Sequence, residues 1–134
     1  MKTKIIVERG NDGLFSYYMG GDNFDFGLNG QGSTIEEAKN EFLAVYSELK
    51  DMYSEEGKPL PDLDFEYEYD ISSFLNYYSG ILSKSGLEKI TGINQKQLWH
   101  YSSGRRKPAK STVEKIQLGL RNFSKELSQV HFVD

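Results

Sequence analysis

Between Thr91 and Pro108 the chain reads "TGINQKQLWHYSSGRRKP". Gln95, Lys96 and His100 sit close together there, with Trp99 among them. A glutamine amide both donates and accepts, an ammonium donates and an imidazole can do either. Together they have the chemistry needed to read base edges in a DNA major groove. Immediately behind them come Arg105, Arg106 and Lys107, cations suited to a phosphate backbone and carrying no sequence information of their own. The competing reading of "RRKP" is a solvated loop, and that of Trp99 a packing or dimer contact. With two histidines and no cysteine in the chain, His100 lacks the companions a metal site needs.

These side chains require a specific scaffold. Two short helical patterns, within "SKSGLEKITG" and "INQKQLWHYSSG", are separated by Gly92-Ile93, the spacing of a helix-turn-helix. Gly92 can take the left-handed conformation of the turn, Ile93 plugs the corner and Asn94 caps the second helix. Leu98 and Tyr101, three apart, face inward, which turns Gln95, Lys96, Trp99, His100 and Ser103 outward or sideways. Leu87 and Ile90 are the inward positions of the first helix. A longer helix, "KSTVEKIQLGLRNFSKEL", opens with a Ser111–Glu114 capping box and has Val113, Ile116, Leu120 and Leu127 as its apolar face. Ahead of these, "SSFLNYYSGILS" places Phe74, Leu75, Tyr78, Ile81 and Leu82 at helical spacing. Residues 71–134 therefore read as an all-helical bundle, ending in a tail, "VHFVD", that is either a short strand or frayed.

The first half is built differently. "KTKIIVER" alternates, the Asp12–Gly13 pair offers positive-φ turn positions, "LFSYYM" returns, and "FDFGLNG" supplies a third strand with Phe24, Phe26 and Leu28 on one face. Ser33 or Thr34 then opens a capping box with Glu36 or Glu37. Ile35, Ala38, Phe42, Val45, Leu49 and Met52 form a stripe at steps of three and four, and Gly57 ends the helix. "FEYEYDI" alternates Phe65, Tyr67, Tyr69 and Ile71 with Glu66, Glu68 and Asp70, and the helical crossover allows this strand to pair in parallel with an earlier one. The fold class read from these patterns is α+β: a βββαβ layer over residues 1–70 and a helical bundle over residues 71–134.

Charge divides the same way. Residues 1–70 carry 6 Lys/Arg against 16 Asp/Glu, and residues 71–134 carry 10 against 4, so the formal net charge of −4 hides a basic half. Such asymmetry points to two partners, one of them an anion. At about 65 residues each half is marginal alone, which favours support from the other half or from a second copy. The opening "MKTKIIV" has too short an apolar run for a signal peptide, no stretch approaches a membrane span, and the expected location is cytoplasmic. No cofactor or metal is implied. Glu8, Asp22, Asp25 and Asp64 could serve a metal-dependent nuclease, but no spacing compels them, and the expectation is a protein that is not an enzyme.

Residues 72–127, through Leu87, Gly92-Ile93, Gln95, Leu98, Gly104 and Pro108, resemble the Xre/Cro/phage-repressor helix-turn-helix family. The resemblance implies that Ser83 caps the first helix of the motif and that Lys84 stands at a phosphate-binding position. It places Gln95, Lys96 and His100 on base edges, with Ser103, Arg105 and Lys107 along a phosphate strand. Glu88 departs from the small residue usual after the leucine of that helix. Residues 1–63, through "KIIVE", the glycine turn and "GQGSTIEEAKNEFLAVYSELKDMYSEEGKPLPD", resemble the HicB antitoxin family, with a departure at "DNFDFGLN". This second resemblance implies a partial, catalytically degenerate ribonuclease-H-like layer that masks a small basic HicA-like ribonuclease toxin. The combined expectation is an antitoxin that also binds double-stranded operator DNA as a homodimer or higher even oligomer, repressing its own operon. The alternative is a stand-alone regulator whose first domain senses a ligand or partner protein. Which acidic residues would meet a toxin is not legible in the sequence.

Overall fold

Strand β1 (Lys2–Arg9) follows from alternation: Thr3, Ile5 and Val7 are buried, while Lys4 and Glu8 are exposed on the other face. The computed structural model describes residues 2–21 and 24–134. A turn at Gly10–Leu14 carries the chain back. Gly13 alone takes positive φ there (84°), and Asp12 instead accepts the Leu14 N–H at 3.0 Å through its side chain. Strand β2 (Phe15–Met19) pairs antiparallel with β1, placing Val7 opposite Tyr17.

The third strand, β3 (Asn29–Gly32), lies later than the aromatic alternation suggested. Phe24 and Phe26 precede it, stacked on each other at 5.1 Å and packed at the margin of the core, and only Leu28 of that trio is buried. The reason lies on the opposite side of the strand. A Cβ on Gly30 would strike the backbone of Phe42 and the Ala38 carbonyl, and one on Gly32 would come within 2.6 Å of the Glu37 side chain. Residues without side chains occupy the place where the next helix crosses, which excludes the bulky pattern from this strand.

That helix is α1 (Ile35–Glu55). Thr34 is its N-cap, accepting the Glu37 N–H at 3.1 Å, while the Glu37 carboxylate takes the Ser33 N–H (3.1 Å) and hydroxyl (2.8 Å). These bonds, led by the Ser33 hydroxyl, hold the Glu37 carboxyl below its ordinary range. Ile35, Ala38 and Phe42 are buried, Val45 and Leu49 are half-buried and Met52 is exposed, so the apolar stripe leaves the sheet over its last turns. Gly57, at φ 68°, follows the helix end.

Strand β4 (Asp64–Tyr69) then pairs in parallel with β1, Ile5 opposite Tyr67, and completes a four-stranded sheet of order β3-β2-β1-β4. Helix α2 (Ile71–Tyr77) is set by Asp70, whose carboxylate accepts the Ser73 N–H (2.8 Å) and the Arg9 N–H (3.0 Å). Asp70 is therefore a structural link and not the freely exposed acid that strand alternation implied. Tyr17 is wholly buried against Phe42 and Tyr67. Burial, followed by the phenols of Tyr69, Tyr77 and Tyr67, pushes its own phenol far above the ordinary tyrosine range.

The chain divides into two compact units, Met1–Tyr77 and Tyr78–Asp134. Helix α2, anticipated as the opening of the helical half, packs on β1, β4 and α1 and belongs to the first unit. It ends at Tyr77, with Leu82 N–H closing a turn on the Tyr78 carbonyl, well short of the helix through Leu82 that spacing suggested. The second unit holds α3 (Lys84–Thr91), α4 (Gln95–Ser102) and α5 (Lys110–Ser128). Its core is Leu87, Ile93, Leu98, Tyr101 and Ile116, with Ile90 half-buried. Helix α5 begins after Ala109 without a side-chain cap, so Ser111 lies inside it, and Leu127 is exposed beyond its packed turns. Residues 130–134 form no strand. Among the described residues no helix is long and apolar enough to cross a membrane.

The glycines of β3 yield a direct test. Gly30→Ala is expected to destabilise the protein by about 1–3 kcal/mol, because the new methyl meets backbone that cannot move aside. Gly27→Ala, where nothing lies within 4 Å, is expected to be near neutral. Urea unfolding followed by tyrosine fluorescence distinguishes the two, and equal effects would refute the close-approach account.

Candidate nucleic-acid interface

A turn between helices leaves backbone amides without intrahelical partners, and buried amides must find partners elsewhere. Between Gly92 and Lys96 nearly all of them are accounted for. Gly92, at φ 76°, donates to the Glu88 carbonyl at 2.8 Å. The buried Thr91 hydroxyl donates to the Leu87 carbonyl (2.7 Å) and accepts the Ile93 N–H (3.1 Å). The Gln95 N–H goes to the Glu88 carboxylate at 2.8 Å, and the Lys96 N–H to the Asn94 side chain at 2.7 Å. Ile93, 6% exposed, fills the corner. Ser83 caps α3 by accepting the Gly86 N–H at 3.0 Å.

Helix α4 is held against the unit by Leu98 and Tyr101, both buried. That anchoring leaves Gln95, Lys96 and Gln97 exposed in its first turn and Trp99 51% exposed on its side. His100 is half-buried and stacks edge-on against Trp99. Its Nδ1 is buried without a hydrogen-bond partner, which leaves Nε2 as the nitrogen available to a base edge. The end of α4 is closed by the His100 carbonyl, which accepts from the Ser103 hydroxyl (3.0 Å) and from the N–H groups of Arg105 (3.1 Å) and Arg106 (3.3 Å). Gly104 makes this possible at φ 77°. The Ser103 hydroxyl thus donates within this turn while the residue itself stays exposed.

Arg105, Arg106 and Lys107 are fully exposed and Lys84 partly so. None of the four, nor Lys96, is held in an ion pair among the described residues. The structure therefore brings Gln95, Lys96 and Trp99 to one exposed helix surface, with unneutralised cations directly behind it in the chain. His100 is half-buried beside that surface, and Ser103 is exposed at the end of the helix. Two residues hold the turn in roles the sequence did not announce: Thr91, and Glu88, noted above only as a departure from the small residue usual at its position. A threonine in the last turn of a short helix, one residue before a glycine, is the signal for the first; for the second, separated by seven positions from its partner, there was none.

In the first unit the sheet face opposite α1 carries Lys4, Glu8, Tyr18, Glu66 and Glu68. Here Lys4 pairs with Glu68 at 3.0 Å and the Tyr18 hydroxyl donates to Glu8 at 2.9 Å, a bond that raises the Tyr18 phenol. Among the described residues no group of three or more His, Asp or Glu side chains lies where it could hold a metal ion. Asp22 falls outside the described residues.

Comparison with protein-family models, with curated proteins and with solved structures gives no match to this chain.

The role of Thr91 is open to a test by isosteric replacement. Thr91→Val keeps the shape but leaves the buried Ile93 N–H unsatisfied, and is expected to cost about 1–3 kcal/mol, whereas Thr91→Ser retains the hydroxyl and most of the stability. Thermal unfolding of the two variants checks this ordering.

Proposed function

We propose that the chain is an antitoxin-type autorepressor whose basic helical unit binds operator DNA as a dimer and whose acidic unit masks a small basic ribonuclease toxin of the HicA type. The observation that carries the DNA reading is the exposed first turn of α4, pinned by the closed Thr91–Lys96 turn and followed by three unpaired cations. Lys84, Arg105, Arg106 and Lys107 supply charge for the phosphates, while Gln95, Lys96, Trp99 and His100 Nε2 supply contacts to base edges. The toxin reading is supported by the resemblance of residues 1–63 to HicB antitoxins and by charge. The first unit carries 6 Lys/Arg against 16 Asp/Glu, a field that attracts and steers a basic protein. A helix-turn-helix protein ordinarily occupies two half-sites related by a twofold axis, so the acting species is a homodimer in the cytoplasm.

The DNA reading predicts a division of roles. Against an operator recovered by selection from random duplexes, Gln95→Ala or Lys96→Ala should relax sequence preference by about 1–3 kcal/mol per affected base pair. Arg105→Ala should weaken binding to all sequences alike and flatten the salt dependence by roughly one unit. Titrations at several ionic strengths separate these outcomes, and identical behaviour of the three variants would contradict the assignment.

The toxin reading is tested by isolating the full chain from its own host at low salt and weighing each co-eluting polypeptide. The expected companion is a small basic protein in fixed ratio that cleaves RNA once freed and stops when the chain is added back. Recovery of the chain with DNA and no second protein would overturn the antitoxin half and leave a stand-alone regulator.

A further inference from the structure

The first N–H groups of a DNA-reading helix ordinarily form a ready site for a backbone phosphate. In α4 two of them are already taken from within. The Asn94 side chain accepts the Lys96 N–H, and the Glu88 carboxylate reaches from α3 to accept the Gln95 N–H at 2.8 Å. The carbonyl of the same Glu88 accepts the Gly92 N–H, also at 2.8 Å, so one residue fastens both sides of the turn. Glu88 is partly exposed and makes no ion pair among the described residues. Its negative charge therefore stays at the positive end of the helix dipole, stabilising that end for the protein and repelling a phosphate that approaches it.

We infer that Glu88 is a positioning and specificity residue for DNA recognition, acting through two separable properties. Its hydrogen bond orients the first turn of α4, and with it Gln95 and Lys96. Its charge bars phosphate from the helix N-terminus, so that grip comes from Lys84, Arg105, Arg106 and Lys107, and binding to arbitrary DNA stays weak. This rests on the operator-binding reading above.

Replacement of Glu88 separates the two properties, because glutamine keeps an acceptor oxygen and loses the charge, while alanine loses both. The full-length chain, E88Q and E88A are titrated with the selected operator and with an unrelated duplex over a range of salt, and exchange of the Gln95 amide is followed by NMR. E88Q is expected to bind both duplexes several-fold more tightly at low salt, with a salt slope steeper by about one unit, to keep its discrimination between them, and to keep the Gln95 amide protected. E88A is expected to lose that protection and to discriminate about fivefold less well between the two duplexes, the effect of losing one helix cap. The assignment is overturned if E88A keeps the amide protected, if E88Q loses discrimination as fully as E88A, or if both variants bind like the parent. Should E88A fail to fold, Glu88→Asp, which keeps the charge but shortens the reach, replaces it and must lose the Gln95 protection. Failure of the parent chain to enrich any duplex would instead overturn the operator reading and this assignment with it, while the amide exchange still reports on the hydrogen bond alone.

Discussion

The backbone amides from Ile93 to Lys96 have no helix carbonyl to bond, and what the second unit can present to a ligand depends on how they are satisfied. Thr91, Glu88 and Asn94 each supply an oxygen, and Gly92 supplies the left-handed backbone that brings those oxygens into reach. With the turn closed, α3 and α4 are locked in one relation. Leu98 and Tyr101 can then bury one side of α4 while Gln95, Lys96 and Trp99 remain on the other. Loosening the buried Thr91 bonds leaves a polar group in a place water reaches poorly, a loss larger than the net value of an ordinary hydrogen bond, whereas the Glu88 and Asn94 bonds lie at the surface. The recognition surface is thus a consequence of amide accounting a few residues upstream.

The first unit obeys a different constraint, the close approach of a helix to a sheet. Gly30 and Gly32 let α1 lie directly on β3, and that contact sets how deeply Ile35, Ala38 and Phe42 enter the core. Burial of these side chains, worth about 1.5–3 kcal/mol for each large one, supports the parallel pairing of β1 with β4, which no short turn could join. Charge enters this core only at its margin, where Arg9 lies over the Phe15 ring and Lys39 over those of Tyr67 and Tyr77. The excess of carboxylates lies outside it, chiefly along the solvent side of α1 and on the open face of the sheet. The unit is consequently free to use its charge for a partner without loss of packing, which suits the masking role proposed for it.

The functional reading unites two units of opposite charge in one chain, a basic one with an exposed helix and an acidic one with an aromatic core. Their chemistry differs in kind. The proposed recognition by α4 would depend on a few oriented donors and acceptors, whereas the proposed attraction of a basic protein would depend on the summed field of many carboxylates and tolerate loss of any one. This is why individual residues can be named for the DNA surface and only a region for the toxin surface.

Local pattern alone determined much of this protein. The alternation of β1 and β4, the glycine at the motif turn, the caps Ser83, Thr34 and Asn94, and the inward Leu98 and Tyr101 all follow from short-range sterics and hydrogen bonding, which neighbouring residues specify between themselves. Tertiary structure decided the rest. Phe24 and Phe26 alternate like strand residues, yet the helix crossing at Gly30 and Gly32 moved β3 beyond them. Asp70 alternates with its neighbours as if exposed, but the Arg9 amide from β1 claims it. Ser111 has the spacing of a cap, but the helix starts two residues sooner, after Ala109. Glu88 and Gln95 meet only once the turn between them is closed. In each case the deciding partner lies across the turn, the sheet or the helix crossing, where periodicity carries no information.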